Sequence, residues 1–87
     1  MIKAYILIGI EGVEVNKIAK QVTDIEEVET VNIIHGEHDL IALVRAKTLI
    51  ELKEIVVEKI KGINGIVMTE ELIIADEVKK KSKIDKA

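Results

Sequence analysis

The chain alternates short runs of β-branched and aliphatic residues with longer amphipathic segments. Four of the runs have the length and composition of strands, and several alternate between apolar and polar residues with a period of two. These runs cover residues 2–10, 28–35, 40–47 and 66–75. The short segment Gly36-Glu37-His38-Asp39 joins the second run to the third, which predicts an antiparallel hairpin.

Two segments between the runs have the periodicity of helices. After Gly12, apolar residues recur at the spacing i, i+3, i+4, i+7, and they are Val15, Ile18, Ala19 and Val22. The second segment begins with a capping box, Thr48 to Glu51, in which the Thr hydroxyl accepts a hydrogen bond from the Glu51 backbone amide. It runs to about Lys61, and its inward residues are Leu52, Ile55, Val56 and Ile60.

The order β-α-β-β-α-β predicts an α+β, ferredoxin-like fold with a four-stranded antiparallel sheet and both helices on one face. The opposite face then has no cover from its own chain, although alternation places apolar residues on it: Tyr5, Leu7, Ile41, Leu43, Val67 and Ile73. An open apolar face implies a partner, and two-fold self-association is the simplest solution. We therefore expect a homodimer, of the dimeric α/β barrel type, that forms through this face.

Composition narrows the class of protein. The net charge of −3 is unevenly placed, because residues 76–87 carry five Lys against three acidic residues and the rest of the chain is acidic. An acidic body argues against direct binding of nucleic acid. The absence of Cys excludes disulfides and zinc–thiolate sites. No apolar stretch approaches the ~18 residues of a membrane span, and no signal peptide is recognisable, so we expect a cytoplasmic protein without a membrane partner.

The composition also bears on the source organism of the protein and on the bounds of its domain. The many Ile, Lys and Glu residues are typical of hyperthermophile proteins, and an AT-rich genome gives the same bias. We expect residues 1–76 to form the domain and residues 77–87 to be a lysine-rich tail, either a short helical extension or a frayed end.

Candidate chemistry is sparse. His35, His38 and Asp39 lie together at the hairpin, but a zinc site normally needs three or four ligands and the chain has only two His. We favour a turn or a small-molecule contact; in the purely structural interpretation Asp39 accepts hydrogen bonds from backbone amides near Gly36. Nucleophilic catalysis lacks a Cys, and Ser82 stands alone in the tail. We expect no catalytic residues, no metal and no cofactor, and therefore a protein that is not an enzyme.

The hairpin also resembles a known family. Residues 34–46, Ile-His-Gly-Glu-His-Asp-Leu-Ile-Ala-Leu-Val-Arg-Ala, are similar to the hairpin of the effector-binding (RAM) domain of the Lrp/AsnC transcription regulators, and Thr69-Glu-Glu-Leu-Ile-Ile is similar to the last strand of that domain. Gly36 and Asp39 match the family motif. His35 and His38 stand where the family usually has Thr and Tyr, and Glu71 replaces a second Thr.

The resemblance implies a regulatory module whose dimers form through the sheets and assemble into a higher oligomer, and which binds an amino acid between dimers. The residues that it assigns to the ligand are Gly36, His38, Asp39, Thr69 and Glu71, with Thr69 and Glu71 supplied by a neighbouring chain. Since nothing but Met1 precedes the first strand, we expect a stand-alone form that binds an amino acid itself or joins full-length regulators of the family. The alternatives are an amino-acid-binding domain of the ACT type, which has the same strand order, and a purely structural oligomerisation module.

Overall fold

The computed structural model describes residues 1–76 and Val78. The elements in chain order are β1 (Ile2–Ile10), α1 (Val15–Thr23), β2 (Val28–Ile33), β3 (Leu40–Ala46), α2 (Leu49–Glu54, continued as a π-helix over Ile55–Ile60) and β4 (Ile66–Ile73). The predicted order and the bounds of β1 are confirmed, while β2, β3 and β4 end one or two residues earlier than predicted. Except for Val78, the predicted tail of residues 77–87 lies outside the described residues.

The four strands form one antiparallel sheet in the order β2-β3-β1-β4. Both helices pack on the same face of this sheet, so the predicted ferredoxin-like architecture is confirmed. The core combines the inward residues of the helices with every second residue of the two central strands, and its largest members are Ile6, Ile8, Ile18, Leu40, Leu52 and Ile60. Among the described residues, no helix is long and apolar enough to cross a membrane.

Local interactions fix where the chain turns. The Thr48 hydroxyl accepts a hydrogen bond from the Glu51 backbone amide at 3.1 Å, as the capping box predicts. Gly65, which precedes β4, has φ +102°, and a Cβ at this position would lie 2.7 Å from Cδ1 of Ile18 and 2.8 Å from Cγ2 of Val13. Only Gly satisfies both the backbone conformation and the close approach of the turn to α1.

The face of the sheet opposite the helices is open and apolar at its centre. Leu43 on β3, Tyr5 on β1 and Leu72 on β4 lie side by side across it. Tyr5 is 41% exposed and Leu72 is 47% exposed, values that are high for large apolar side chains. Charged residues border this row. Glu29 forms ion pairs there with Lys3 (Oε1 to Nζ, 3.4 Å) and with Arg45 (Oε2 to Nη1, 3.9 Å).

Of the two β4 residues that the sequence analysis placed on this open face, Ile73 and Val67, the strand pairing contradicts the first. Ile73 pairs with Ala4, a core residue, and therefore faces the helix side, whereas Leu72 pairs with Tyr5. Val67 lies at the register shift beside Gly9 and has no partner in β1. The prediction for Ile73 is wrong because a strand has a period of two, so that a one-residue error in register exchanges its faces.

Candidate functional site

The turn between β2 and β3 is attached to the end of β1 by Asp39. The backbone amide of Asp39 donates to the Ile8 carbonyl at 2.8 Å, and its carboxylate Oδ2 accepts from the Ile10 backbone amide at 2.8 Å. The Asp39 carbonyl accepts from the Ile34 amide at 3.0 Å, which closes the turn. The expectation that the carboxylate bonds amides near Gly36 is therefore wrong, because its partner is a strand 29 positions away in sequence.

Gly36 allows this turn its backbone shape. Its φ of +139° lies in the region that residues with a Cβ rarely adopt, and no atom lies within 4 Å of where a Cβ would be. Gly36 is thus required by conformation and not by crowding within the chain. The open space beside it leaves the backbone of the turn accessible to another molecule.

The side chain of His38 lies near Glu70, in the middle of β4. Its side chain is only 13% exposed, and its Nε2 lies 3.7 Å from Oε1 of Glu70, a separation too long for a hydrogen bond. The buried Nε2 has no hydrogen-bond partner among the described residues. Sequence analysis missed Glu70 as a neighbour of this site; the available signal was the alternation of β4, which places Glu70 opposite Leu7 on the open face.

Thr69 and Glu71 lie on the other side of the sheet. They pair with Ile8 and Ile6, whose side chains are in the core, so both point toward the helix side. The hydroxyl of Thr69 is buried and has no hydrogen-bond partner among the described residues. Thr69 also borders an open cavity of about 430 Å³, together with Lys61, Ile66, Val67 and Met68.

Within one chain, the five predicted ligand residues therefore do not form a single pocket. Gly36, His38 and Asp39 lie at the hairpin end, whereas Thr69 and Glu71 lie on the helix side of the edge strand β4. His35, which the sequence placed near them, is exposed.

The electrostatics identify structural pairs outside these groups. Lys59 Nζ donates to both carboxylate oxygens of Glu27 at 3.0 and 2.9 Å. This hydrogen bond lowers the pKa of Glu27 and raises the pKa of Lys59. The pair ties the segment before β2 to the π-helical part of α2. Residues 1–76 and Val78 contain no group of three His, Cys, Asp or Glu residues that could hold a metal ion.

The class of fold is that of a ferredoxin-like domain with one sheet face covered by helices and one face open. The family is established by sequence. The chain belongs to the Lrp/AsnC family, because the model for the Lrp/AsnC ligand binding domain matches residues 3–84. It is thus a domain of the ligand-binding (RAM) type that occurs in Lrp/AsnC transcriptional regulators, and the resemblance of the hairpin to that family is confirmed.

Individual relatives agree with this assignment. An uncharacterized HTH-type transcriptional regulator of Pyrococcus furiosus is 35% identical over 73 residues, which are 84% of this chain and 49% of the relative. The chain thus spans about half the length of the curated relatives that it matches. The structure of TTHA0845 from Thermus thermophilus superposes with a TM-score of 0.85 at 31% identity, over 92% of this chain and all of that chain. A transcriptional regulator of Neisseria meningitidis, solved as a complex with L-Met, shares the fold, with a TM-score of 0.82 at 17% identity over 93% of this chain and 54% of that one.

Proposed function

We propose that this domain is an amino-acid-responsive regulatory module that acts by binding and assembly, without catalysis. It binds a small effector where copies of the chain meet, and it alters the assembly of full-length Lrp/AsnC-type regulators by joining them. Family membership supports the regulatory part of this proposal, and the L-Met complex of the distant Neisseria regulator supports an amino acid as the class of effector.

One observation carries the proposal. Among the described residues, two buried side-chain polar atoms lack a hydrogen-bond partner, Nε2 of His38 and Oγ1 of Thr69, and both belong to residues that the family resemblance assigns to the ligand. A buried polar atom without a partner costs about 1–3 kcal/mol, so that proteins rarely retain one without a use. A ligand or a neighbouring chain that completes these hydrogen bonds explains why they are retained.

The proposed pose uses both groups of residues. The effector's ammonium group pairs with the Asp39 carboxylate, whose Oδ1 has no donor among the described residues while Oδ2 is occupied by the Ile10 amide. The effector's carboxylate takes backbone amides of the turn at Gly36. Thr69 and Glu71 of a second chain face the effector's side chain, and His38 lies at the rim.

The ligand is tested by calorimetry of each of the twenty amino acids at millimolar concentration, followed by a comparison of Thr69→Val with wild type. Val removes the unpaired hydroxyl at almost constant volume, so we expect effector affinity to fall about tenfold while the stability of the free protein is unchanged or higher. Thr23→Val is the matched control, since the Thr23 hydroxyl is exposed and bonds the Ala19 carbonyl. Loss of stability in Thr69→Val with unchanged binding would contradict the assignment, and heat from none of the amino acids would leave a structural oligomerisation module.

Self-association is tested with adjacent residues of β4. Leu72 and Ile73 are 47% and 49% exposed but lie on opposite faces. Leu72→Asp places a charge on the apolar face that we expect a second copy to cover, where desolvating the charge costs several kcal/mol. Light scattering at micromolar concentration should show a dimer or larger assembly for wild type and for Ile73→Asp, and a monomer for Leu72→Asp. A monomeric wild type refutes the self-association, and equal effects of the two variants refute the choice of face.

Co-assembly with a full-length regulator is tested by mixing the two proteins and measuring the mass of the complexes by light scattering. We expect mixed species for the wild type that are lost for Leu72→Asp. If the domain and the regulator keep their separate masses at all mixing ratios, co-assembly is refuted and only effector binding by the domain itself is left of the proposal.

A further inference from the structure

One side of α2 carries a row of acidic side chains. Glu51, Glu54 and Glu58 are spaced i, i+3 and i+7, and all three border a shallow cavity of about 190 Å³. Lys59 borders the same cavity, but its ammonium group is engaged by Glu27 at 2.9 Å. Among the described residues, none of the three row carboxylates forms a salt bridge. Like charges three or four residues apart destabilise a helix, and Lys61 is the one cation placed i+3 from a member of the row, Glu58, so additional cations would stabilise the row.

The outer surface of α2 beside the acidic row carries two exposed aliphatic side chains, one on each side of the exposed Lys53. Ile50 is 73% exposed and Val57 is 58% exposed, and they are spaced i and i+7 with Glu54 between them. The solvent side of a helix is normally polar. A segment that suits this surface therefore combines several cations with an aliphatic side chain.

The end of the chain has this composition. Residues 79–87 read Lys-Lys-Lys-Ser-Lys-Ile-Asp-Lys-Ala, and residues 77–87 together carry five Lys against Glu77 and Asp85, a net charge of +3. Nine residues can reach up to about 30 Å when extended. From Glu51 to Glu58 the acidic row is only about 10 Å long, at 1.5 Å per helical residue.

The last described residues lie at the same end of the molecule as the start of α2. Val78 borders a cavity of about 700 Å³ together with Met1. Met1 also borders a second cavity, of about 320 Å³, which Glu51 lines at the start of α2. The cavity at Val78 and the cavity at Glu51 thus share Met1, so the last described residues lie near the start of the acidic row.

We propose that residues 79–87 dock along α2 of their own chain, with their lysines on the Glu51–Glu54–Glu58 row and Ile84 against Ile50 and Val57. The charges are complementary, and the segment is long enough to cover the surface from the place where it begins. This contact is independent of the proposed effector site. A tail docked in this way is not available to nucleic acid, the other common partner of a lysine run.

Zero-length carbodiimide cross-linking of the full chain tests the contact, since it joins only carboxylates and amines that touch. Mass spectrometry of an equal mixture of ¹⁵N-labelled and unlabelled chains should find links from Lys79–Lys86 to Glu51, Glu54 or Glu58 in peptides of a single isotope. The yield should fall severalfold in 1 M salt, where the screening length is about 3 Å. Links of mixed isotope would assign the tail to another copy, and links to other carboxylates or none would refute the docking.

Matched variants give a second readout in the tail itself. Glu54→Gln with Glu58→Gln should shift the amide NMR resonances of residues 79–87 and reduce the remaining cross-links severalfold. Glu14→Gln, at the opposite end of the sheet, should change neither. If short duplex DNA shifts the tail resonances while the paired Gln substitutions do not, the tail serves nucleic acid and the docking proposal is wrong.

Discussion

Asp39 has a structural role in the turn and a proposed role in binding the effector. The same substitutions of Asp39 test both roles, through unfolding stability and through effector affinity. Its carboxylate is the acceptor for the partly buried Ile10 amide at 2.8 Å. Asp39→Ala leaves that amide unpaired beside the register shift between β1 and β4. An unsatisfied buried donor costs about 1–3 kcal/mol, and the partial burial suggests the middle of that range, about 2 kcal/mol. Asp39→Asn keeps an acceptor oxygen at the same place but replaces a charge-assisted hydrogen bond by a neutral one, so it should cost only about 0.5–1 kcal/mol.

The assay is urea unfolding followed by circular dichroism at pH 7 and at a fixed protomer concentration, because assembly contributes to apparent stability. Thermal unfolding should agree, since 1 kcal/mol corresponds to roughly 4–8 °C for a domain of this size. If Asp39→Ala is no less stable than Asp39→Asn, the hydrogen bond to Ile10 is not what fixes the turn.

The same Asn variant then tests the ligand. It removes the negative charge that we assign to the effector's ammonium group, so affinity should fall by about 1.5–3 kcal/mol, the value of a charge-assisted hydrogen bond. Fold and assembly should persist. Unchanged affinity for an amino acid that binds the wild type would show that Asp39 serves the hairpin alone.

Three further results are expected from the structure. Gly65→Ala should destabilise the fold by about 3 kcal/mol or more, through positive φ and overpacking, whereas Gly12→Ala, with positive φ but open space around it, should cost only about 1–2 kcal/mol in the same urea assay. Thr48→Ala should cost about 1 kcal/mol through loss of the helix cap, and an unchanged midpoint would refute the cap. The pKa of Glu27 is lowered, so the pair contributes stability above the ordinary value of 4.5 and loses it as the pH falls through the lowered pKa. The pKa of Lys59 is raised, so the pair contributes stability below 10.5 and loses it as the pH rises through the raised pKa. Thermal midpoints against pH should therefore converge for wild type and Glu27→Gln in acid and differ at neutral pH.

The sequence by itself determined the order and type of the elements, because each is encoded by neighbours in the chain. The apolar run of β1, the helical stripe that buries Ile18 and Val22, and the Thr48 cap are local patterns, and the structure has all of them. The tight turn that begins at Gly36 was also predictable, since two strand runs joined by so short a segment form a hairpin.

Tertiary structure decided what faces what. β4 is apolar on both faces, so its sequence fits either register, and only the irregular pairing beside Gly9 places Leu72 on the open face and Ile73 on the other. The hydrogen-bond donor to the Asp39 carboxylate is the Ile10 amide, which lies on a strand distant in sequence and could not be predicted from local pattern. The division of the predicted ligand residues between two sides of the sheet has the same origin, because a side chain's face follows from strand pairing, and pairing is set by the packing of the whole domain.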